Sequence, residues 1–218
     1  MTRVDAVVFD LDGVILDSEH VWNQARERLA HERGGRWHEG AQRDMMGMSS
    51  REWSRYMHDV IGLRESSEEI STEVVRRLEA IYRDELPLVE GAVDAVRRLG
   101  KRWPLGLASS SNRELIDLVL DLADLAAAFQ TTVSSEEVPR GKPAPDVYLE
   151  AARRLAVEPA RCAAVEDSQN GIRSAKAAGM RVVAVPNPRY PPDTAALAAA
   201  DAVIDRLDEL VPAVVDPT

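Results

Sequence analysis

Cysteine and long apolar segments are scarce in this sequence. Cys162 is the single cysteine among 218 residues, so an intramolecular disulfide is excluded and a reducing compartment such as the cytoplasm is favoured. No segment approaches the roughly 18–20 apolar residues of a membrane helix, and the N-terminus lacks the apolar core of a signal peptide. We therefore expect a cytoplasmic protein that does not bind a membrane.

Positive charge is scarce as well. The chain has 27 Lys and Arg residues against 37 Asp and Glu residues, which gives a net charge of −10. Nucleic acids and anionic membrane surfaces bind to basic surfaces, so this balance argues against both as partners. We expect a small molecule as the partner and a monomer as the oligomeric state. If the small molecule is an anion, its site must supply local positive charge from a metal ion, a lysine or helix N-termini.

Apolar strand patterns alternate with helix patterns over most of the chain. A short apolar run at 4–9 ends at Asp10, and the later segments 90–100, 112–124, 145–156 and 168–178 have helical patterns. Repeated alternation of this kind predicts an α/β protein with a Rossmann-like three-layer core, in which helices cover both faces of a mostly parallel sheet. The later strands are predicted at 105–109, 129–134, 163–165, 181–185 and 201–204.

Residues 17–86 interrupt the alternation with helical patterns alone. Helices are predicted at about 17–33 and within about 40–86, with the pairs Ser49-Ser50 and Ser66-Ser67 as N-cap candidates. The segment is too long for a single crossover helix, so we predict an inserted helical subdomain. The predicted division is a catalytic core of residues 1–16 and 87–218 and a helical subdomain of residues 17–86.

Polar side chains stand at the carboxyl ends of four predicted strands. Asp10 and Asp12 lie two residues apart in extended backbone, so both carboxylates point to the same side. In open α/β sheets, ligands bind in the crevice at the carboxyl ends of the strands. The side chains expected there are Asp10, Asp12, Ser109, Ser110, Ser111, Asn112, Lys142, Glu166 and Asp167.

This combination of side chains suits the transfer of a phosphoryl group. A carboxylate cannot approach negatively charged phosphate oxygens unless that charge is neutralised, and Mg²⁺ held by carboxylates would neutralise it. Lys142 adds a point charge, and Ser109 together with the amides of a helix start adds hydrogen bonds to phosphate oxygens. A carboxylate nucleophile would form an aspartyl-phosphate, which divides the transfer into two steps.

Four of these groups resemble, in sequence order, the four motifs of the haloacid dehalogenase superfamily of phosphatases. They are Asp10-Leu11-Asp12-Gly13-Val14, Ser109, Lys142 in Gly-Lys-Pro-Ala-Pro-Asp, and Glu166-Asp167-Ser168. A lone Asp-x-Asp is a weak signal, whereas four motifs in register are specific. The insert lies where the family has its helical cap, so the resemblance implies that residues 17–86 form a cap.

The resemblance also implies a role for each matched residue. Asp10 would be the nucleophile, and Asp12 would be the general acid and base, with its backbone carbonyl reaching the metal. Ser109 and Lys142 would hold the phosphate. The Mg²⁺ site would consist of Asp10, Asp12, Glu166 and Asp167.

Substrate contacts are expected from the turn after the second strand and from the cap. Related enzymes place a cap loop like the methionine-rich segment 45–48 over the active site, and Trp22 follows Asp12 closely enough to line the cleft. The candidates are Ser110, Ser111, Asn112, Met46, Gly47, Arg51 and Trp22.

The residues also separate branches of this superfamily. Its dehalogenases lack the second acid of the first motif, and its phosphonate-cleaving members use a cap lysine, whereas this chain has Asp12 and no lysine in residues 1–100. Sugar phosphomutases similar to β-phosphoglucomutase share nearly the same core motifs, but they use a cap His and a cap Lys where this chain has Trp22 and Met46. We therefore expect a Mg²⁺-dependent phosphatase of a small phosphorylated metabolite, a sugar phosphate. A phosphomutase and a catalytically dead module that binds a phosphorylated metabolite remain the alternatives.

Overall fold

The computed structural model describes residues 3–46 and 48–217. Within these residues, the strands form one sheet in the order β3-β2-β1-β4-β5-β6, and every neighbouring pair is parallel. The predicted α/β class and parallel sheet are therefore confirmed. The strands are β1 (Ala6–Phe9), β2 (Leu105–Ser109), β3 (Thr131–Ser134), β4 (Cys162–Glu166), β5 (Arg181–Ala184) and β6 (Ala202–Val203).

The helices lie between and after these strands. Their bounds are α1 (Glu19–Glu32), α2 (Ala41–Met45), α3 (Ser50–Asp59), α4 (Ser67–Asp84), α5 (Ala92–Gly100), α6 (Arg113–Leu122), α7 (Asp146–Leu155), α8 (Gln169–Ala177), α9 (Thr194–Ala199) and α10 (Pro212–Val215). The sequence patterns missed α9 and α10, which are short, and placed the start of β3 two residues too early. No helix in the described part of the chain is long and apolar enough to span a membrane.

The sheet is covered on both faces, and its central strand β1 is apolar and buried at every position. Val7 and Phe9 of β1 contribute to an apolar cluster on one face, which includes α5 and α6. Ala6 and Val8 face the other side and pack with residues of α7 and α8. Successive side chains of a strand point to opposite faces, so this alternation produces the three layers that the sequence predicted.

Helices α1 to α4 lie between β1 and α5. The N-terminus of α3 has a capping box formed by Ser49 and Glu52, and that of α4 has one formed by Ser66 and Glu69, so the first serine of each predicted pair is the N-cap. Helix α4 packs against α1 and α3, and it also contacts α6 beside the sheet. The described part of 17–86 thus contains no strand of the sheet.

The two connections to the helical segment run side by side. The amide of Asp17 donates to the carbonyl of Pro87 over 2.8 Å, and the amide of Val89 donates to the carbonyl of Ile15 over 2.9 Å. Leu16 and Leu88 form an isolated antiparallel bridge between them. The boundaries at 16/17 and 86/87 fall within this paired region, and the division of the chain there stays a prediction.

Candidate active site

The predicted site residues meet at one edge of the sheet. Phe9 is in register with Leu107 of β2 and with Val165 of β4, so the carboxyl ends of these three central strands are adjacent. Asp10 follows β1 and is 5% exposed, and its amide donates to the Val165 carbonyl over 3.0 Å. The register of the parallel sheet therefore brings Asp10, Ser109 and Glu166 together although 156 positions separate the first from the last.

Lys142 lies between two carboxylates in the floor of the site. Its Nζ is 2.9 Å from Asp10 Oδ1 and 2.6 Å from Glu166 Oε1, and all three side chains are buried. Burial, followed by the negative charge of Glu166, raises the pKa of Asp10 to about 8, although Lys142 opposes the shift. Burial disfavours the charged form of Lys142, but the charges of Asp10 and Glu166 outweigh it and raise the pKa of the lysine. Lys142 is therefore a permanent positive charge beside Asp10.

Both carboxylate oxygens of Glu166 are occupied by donors from the protein. Oε1 accepts from Lys142 Nζ and from the Tyr148 hydroxyl, the latter over 2.7 Å. Oε2 accepts from the amides of Asp167 and Ser168 and from Ser168 Oγ, over 3.1 to 3.2 Å. Glu166 thus fixes Lys142 against Asp10. A metal ion would compete with these donors for direct contact with Glu166.

Sequence reasoning missed Tyr148. It lies on α7, is completely buried, and places its ring 5.0 Å from Lys142 Nζ while its hydroxyl donates to Glu166. Its position six residues after Lys142 is the only signal in the sequence, and an apolar role in the helix would give the same pattern.

Asp10, Glu166 and Asp167 form a buried acidic cluster that fits a divalent cation. Each offers a carboxylate oxygen, and these oxygens lie within 4.8 Å of one another. Asp167 Oδ1 is buried and accepts no hydrogen bond from the described residues, and Asp10 Oδ1 has only the ion pair with Lys142. Burial and the charges of Glu166 and Asp10 raise the pKa of Asp167 well above its usual value. One lysine cannot neutralise three carboxylates, so the donor set and its charge suit a hard cation.

Gly13 provides the space for Asp167. Its φ is +84°, and a β-carbon at this position would lie 1.9 Å from Asp167 Oδ2. Both the backbone conformation and the close approach therefore require glycine. This explains why glycine follows the paired aspartates directly.

Asp12 is held by four donors. Oδ1 accepts from Ser18 Oγ over 2.6 Å and from Trp22 Nε1 over 3.2 Å. Oδ2 accepts from Ser111 Oγ over 2.6 Å and from Ser109 Oγ over 3.4 Å. The carboxylate is half-buried and lines the cleft beside Asp10. Donors from both the sheet edge and α1 fix its orientation.

The other residues of the turn after β2 differ in where they point. Ser109 is fully buried, and its Oγ accepts from the Ser111 amide over 2.9 Å. Ser110 and Ser111 line the cleft, as predicted. Asn112 does not line it, because its Nδ2 donates to Glu136 Oε1 over 2.7 Å and the side chain is held away from Asp10. The structure therefore does not bring Asn112 to the site.

A cleft of about 1150 Å³ lies above this sheet edge, between the core and the helical segment. Trp22 and Met46 line it, as predicted. Arg51 does not, because it is in the first turn of α3 on the exposed side of that helix. The predicted contact at Gly47 lies outside the described residues. The wall residues that sequence reasoning missed include Glu19, Arg26, Gln42 and the loop at 189–193.

Ser49, the residue before α3, packs against the loop that carries Lys142. A β-carbon added to Gly141, the residue before Lys142, would lie 3.4 Å from Ser49 Cβ. The start of α3 therefore contacts the loop that carries Lys142, and the helical segment covers one side of the cleft.

Comparison with known proteins agrees with this arrangement. A family model of haloacid dehalogenase-like hydrolases matches residues 4–179. The chain is 32% identical over 227 residues to hexitol phosphatase B of Escherichia coli K12, with 95% of each protein covered. It is 33% identical to a phosphorylated carbohydrates phosphatase of Thermotoga maritima, over 81% of this chain and 82% of that protein.

A solved structure shares the fold at lower identity. The β-phosphoglucomutase of Clostridium difficile superposes with a TM-score of 0.80 at 24% identity, over 95% of this chain and 93% of that one. The match along most of the chain, together with the acids and the lysine at the carboxyl ends of the central strands, shows that the protein belongs to the haloacid dehalogenase-like hydrolases.

Proposed function

We propose that this hydrolase releases inorganic phosphate from a sugar phosphate by way of an aspartyl-phosphate on Asp10. The observation that carries the proposal is the contact of a buried lysine with a buried aspartate at the cleft floor, with a second aspartate beside them. The names of the two enzyme relatives, a hexitol phosphatase and a phosphatase of phosphorylated carbohydrates, support this substrate class.

In the first step, a carboxylate oxygen of Asp10 forms a bond to phosphorus, and the bond from phosphorus to the sugar oxygen breaks. Asp12, protonated, gives its proton to that oxygen, which leaves as an alcohol. The four donors around Asp12 hold the acid in place. In the second step, Asp12 takes a proton from water, the water oxygen bonds to phosphorus, and the bond to Asp10 breaks.

Lys142 and the turn after β2 are proposed to hold the phosphate. The Lys142 Nζ beside Asp10 would balance negative charge on the phosphate oxygens, and Glu166 with Tyr148 keeps the lysine there. Ser109 Oγ is hydrogen-bonded to the Ser111 amide, so it also shapes the turn that faces the phosphate.

We propose Mg²⁺ as the metal, held by Asp10 and Asp167 with Glu166 in support. Mg²⁺ prefers a small number of carboxylate oxygens together with water and phosphate, which matches a site whose free oxygens belong to two aspartates. When bound, it would keep Asp10 ionised near neutral pH and offset the charge of the phosphate.

We propose that residues 17–86 act as a cap. They supply the upper wall of the cleft, and their two connections to the core are adjacent and hydrogen-bonded to each other. A cap that closes over the phosphate excludes bulk water from the first step and admits one water in the second.

The test is phosphate release from a panel of hexitol and sugar monophosphates, with Mg²⁺ and with a chelator. The panel includes β-glucose 1-phosphate, which is also followed for glucose 6-phosphate. We expect free phosphate with Mg²⁺, none with the chelator, and a loss of at least a thousandfold in Asp10→Asn. The matched control is Asp94→Asn on the exposed face of α5, which should keep full activity.

Three results would contradict the proposal. Isomerised sugar phosphate with little free phosphate would indicate the phosphomutase. Phosphate release that survives Asp10→Asn would assign the chemistry to another residue. No release from any substrate, including p-nitrophenyl phosphate, would indicate a binding module.

A further inference from the structure

A buried arginine that makes no direct ion pair with the described residues lies in the wall of the cleft. Arg26 is in the middle of α1, is 5% exposed, and forms no ion pair or hydrogen bond with another described residue. Its guanidinium carbon lies 4.5 Å from the ring centre of Trp22 and 4.8 Å from that of Trp53, two indoles that pack edge to face. The two rings attract the cation through their π faces, but they do not supply hydrogen-bond acceptors.

A buried acceptor without a donor lines the same cleft. Gln42 of α2 is 9% exposed, and its Oε1 has no hydrogen-bond partner in the described residues. Its Nε2 donates to Glu19 Oε2 over 2.8 Å and to the Glu19 carbonyl over 3.3 Å, and the carbonyl assigns the nitrogen to this side because a backbone carbonyl can only accept. Glu19 in turn lies close enough to Arg26 to act on its charge.

The three side chains thus offer complementary groups that the protein itself leaves unused. Arg26 needs an acceptor, Gln42 Oε1 needs a donor, and Glu19 can accept further donors. All three line the cleft that contains Asp10. Buried polar groups in folded proteins are rarely left without partners, and exceptions are concentrated where a ligand or water completes them.

A hydroxyl group satisfies this pattern because it both donates and accepts. Neighbouring hydroxyls of a carbohydrate can accept from a guanidinium while donating to an amide oxygen and a carboxylate. A second phosphate offers acceptors only, so it would leave Gln42 Oε1 without a donor and would face the Glu19 carboxylate. The charge of the upper wall acts in the same direction. Among its described lining residues, four carboxylates from Glu19, Glu27, Glu39 and Asp44 stand against two arginines, Arg26 and Arg43.

We propose that Arg26, Glu19 and Gln42 form a subsite for the hydroxyl groups of the substrate's leaving group, and that it selects a monophosphate with an uncharged polyhydroxyl tail over a bisphosphate. This inference rests on the proposed phosphatase function and specifies which part of the substrate the proposed cap binds. Neither Arg26, Glu19 nor Gln42 touches the reacting phosphate in this assignment, so all three determine specificity.

The first test compares two substrates in each variant. One is the best hexitol or sugar monophosphate, and the other is p-nitrophenyl phosphate, whose leaving group has no hydroxyl to bind. The measured quantity is the ratio of their kcat/KM values. Gln42→Met and Arg26→Met should each lower this ratio at least tenfold, whereas a merely structural defect would lower both kcat/KM values together and leave the ratio unchanged.

Matched controls are available on α1, the helix that carries Arg26. Arg28 and Gln24 are exposed on α1 and do not line this cleft, so Arg28→Met and Gln24→Met should keep the ratio within twofold of the wild type. The wild type should also prefer the monophosphate to the bisphosphate of the same sugar by at least tenfold. A ratio unchanged in both cleft variants, or a preference for the bisphosphate, would overturn the proposal.

A second measurement separates failure of the subsite from failure of the proposed function. Binding of the monophosphate and of inorganic phosphate to Asp10→Asn is measured by calorimetry, alone and combined with Gln42→Met or Arg26→Met. The combined variants should bind the monophosphate at least tenfold more weakly, with the larger loss on the monophosphate than on inorganic phosphate. If the wild type released no phosphate but the combined variants showed this selective loss of monophosphate binding, the subsite would be supported and the hydrolytic function would be contradicted. Equal losses for both ligands would overturn the subsite.

Discussion

The indole Nε1 of Trp22 donates a hydrogen bond to Asp12 Oδ1 over 3.2 Å. Trp22 belongs to α1 of the helical segment, whereas Asp12 follows the central strand of the sheet. The bond therefore connects the proposed cap directly to the proposed general acid. Any movement that opens the cleft by lifting α1 would also release one of the four donors that orient Asp12.

Trp22→Phe should lower kcat about tenfold, because a hydrogen bond to a charged group contributes about 1.5–3 kcal/mol and three other donors to Asp12 remain. The effect should fall on kcat more than on KM. Trp53→Phe is the matched control. The ring centre of Trp53 lies 5.7 Å from that of Trp22, so this substitution removes an indole from the same cluster, and Trp53 makes no hydrogen bond to Asp12. Steady-state kinetics of phosphate release check this, and an equal loss in both variants would assign the effect to packing.

Tyr148→Phe should cost about 1 kcal/mol of unfolding free energy and two- to fivefold in kcat, since Glu166 loses one of its five donors and the ring beneath Lys142 remains. Glu166→Gln should be more damaging, with about 2–3 kcal/mol lost and activity reduced at least a hundredfold, because Lys142 keeps Asp10 but loses the nearer of its two buried counterions. Urea unfolding and phosphate release measure the two quantities. Similar losses in the two variants would contradict the view that Glu166, with Tyr148 in support, positions the lysine.

Gly13→Ala should abolish the response to Mg²⁺, because the added β-carbon would overlap the Asp167 carboxylate. Gly34→Ala is the control, because it introduces backbone strain without this overlap. Gly34 has a similar φ of +74°, but a β-carbon there would meet nothing within 4 Å. We expect Gly34→Ala to cost about 1–2 kcal/mol of stability and to keep Mg²⁺-dependent activity. If both variants kept that activity, Gly13 would be needed for the turn alone.

Stability should fall as the pH rises through the range in which Glu19 ionises. Burial raises the pKa of Glu19 from 4.5 to about 7, with Arg26 opposing and Asp12 adding to the shift. The folded protein therefore holds this proton more tightly than the unfolded chain, and the contribution of Glu19 to the unfolding free energy decreases between pH 4.5 and pH 7 and is constant above. Discounted for the partial exposure of the carboxylate, the change amounts to about 2 kcal/mol.

Glu19→Gln is the matching variant, since it keeps an acceptor for Gln42 and removes the ionisation. Urea unfolding of both proteins at pH 5 and pH 8, in the presence of a chelator, gives the difference that belongs to Glu19. The variant should gain stability relative to the wild type at pH 8 and not at pH 5. The opposite sign would show that Glu19 is stabilised as an anion in the folded protein.

The sequence by itself determined the sheet, its covered faces and the acidic and basic groups at its edge. These follow from local rules, because an apolar run of four or five residues is a buried strand and the residue after it lies at the strand's end. Asp10 and Glu166 could be placed together in this way, since parallel strands bring their carboxyl ends to one edge. Lys142 lies eight residues after β3 and was placed by its resemblance to the family's third motif. The same rules located Ser49 and Ser66 at helix starts.

Only the tertiary structure decided which side chains complete the site. Tyr148 and Arg26 are helical residues whose neighbours come from distant segments, and their sequence positions look like those of ordinary core and surface residues. Asn112 and Arg51 were expected in the cleft, but Glu136 binds the first and the exposed side of α3 carries the second. The direction of a side chain depends on how its helix packs against the rest of the chain, and that packing is set by contacts far apart in sequence.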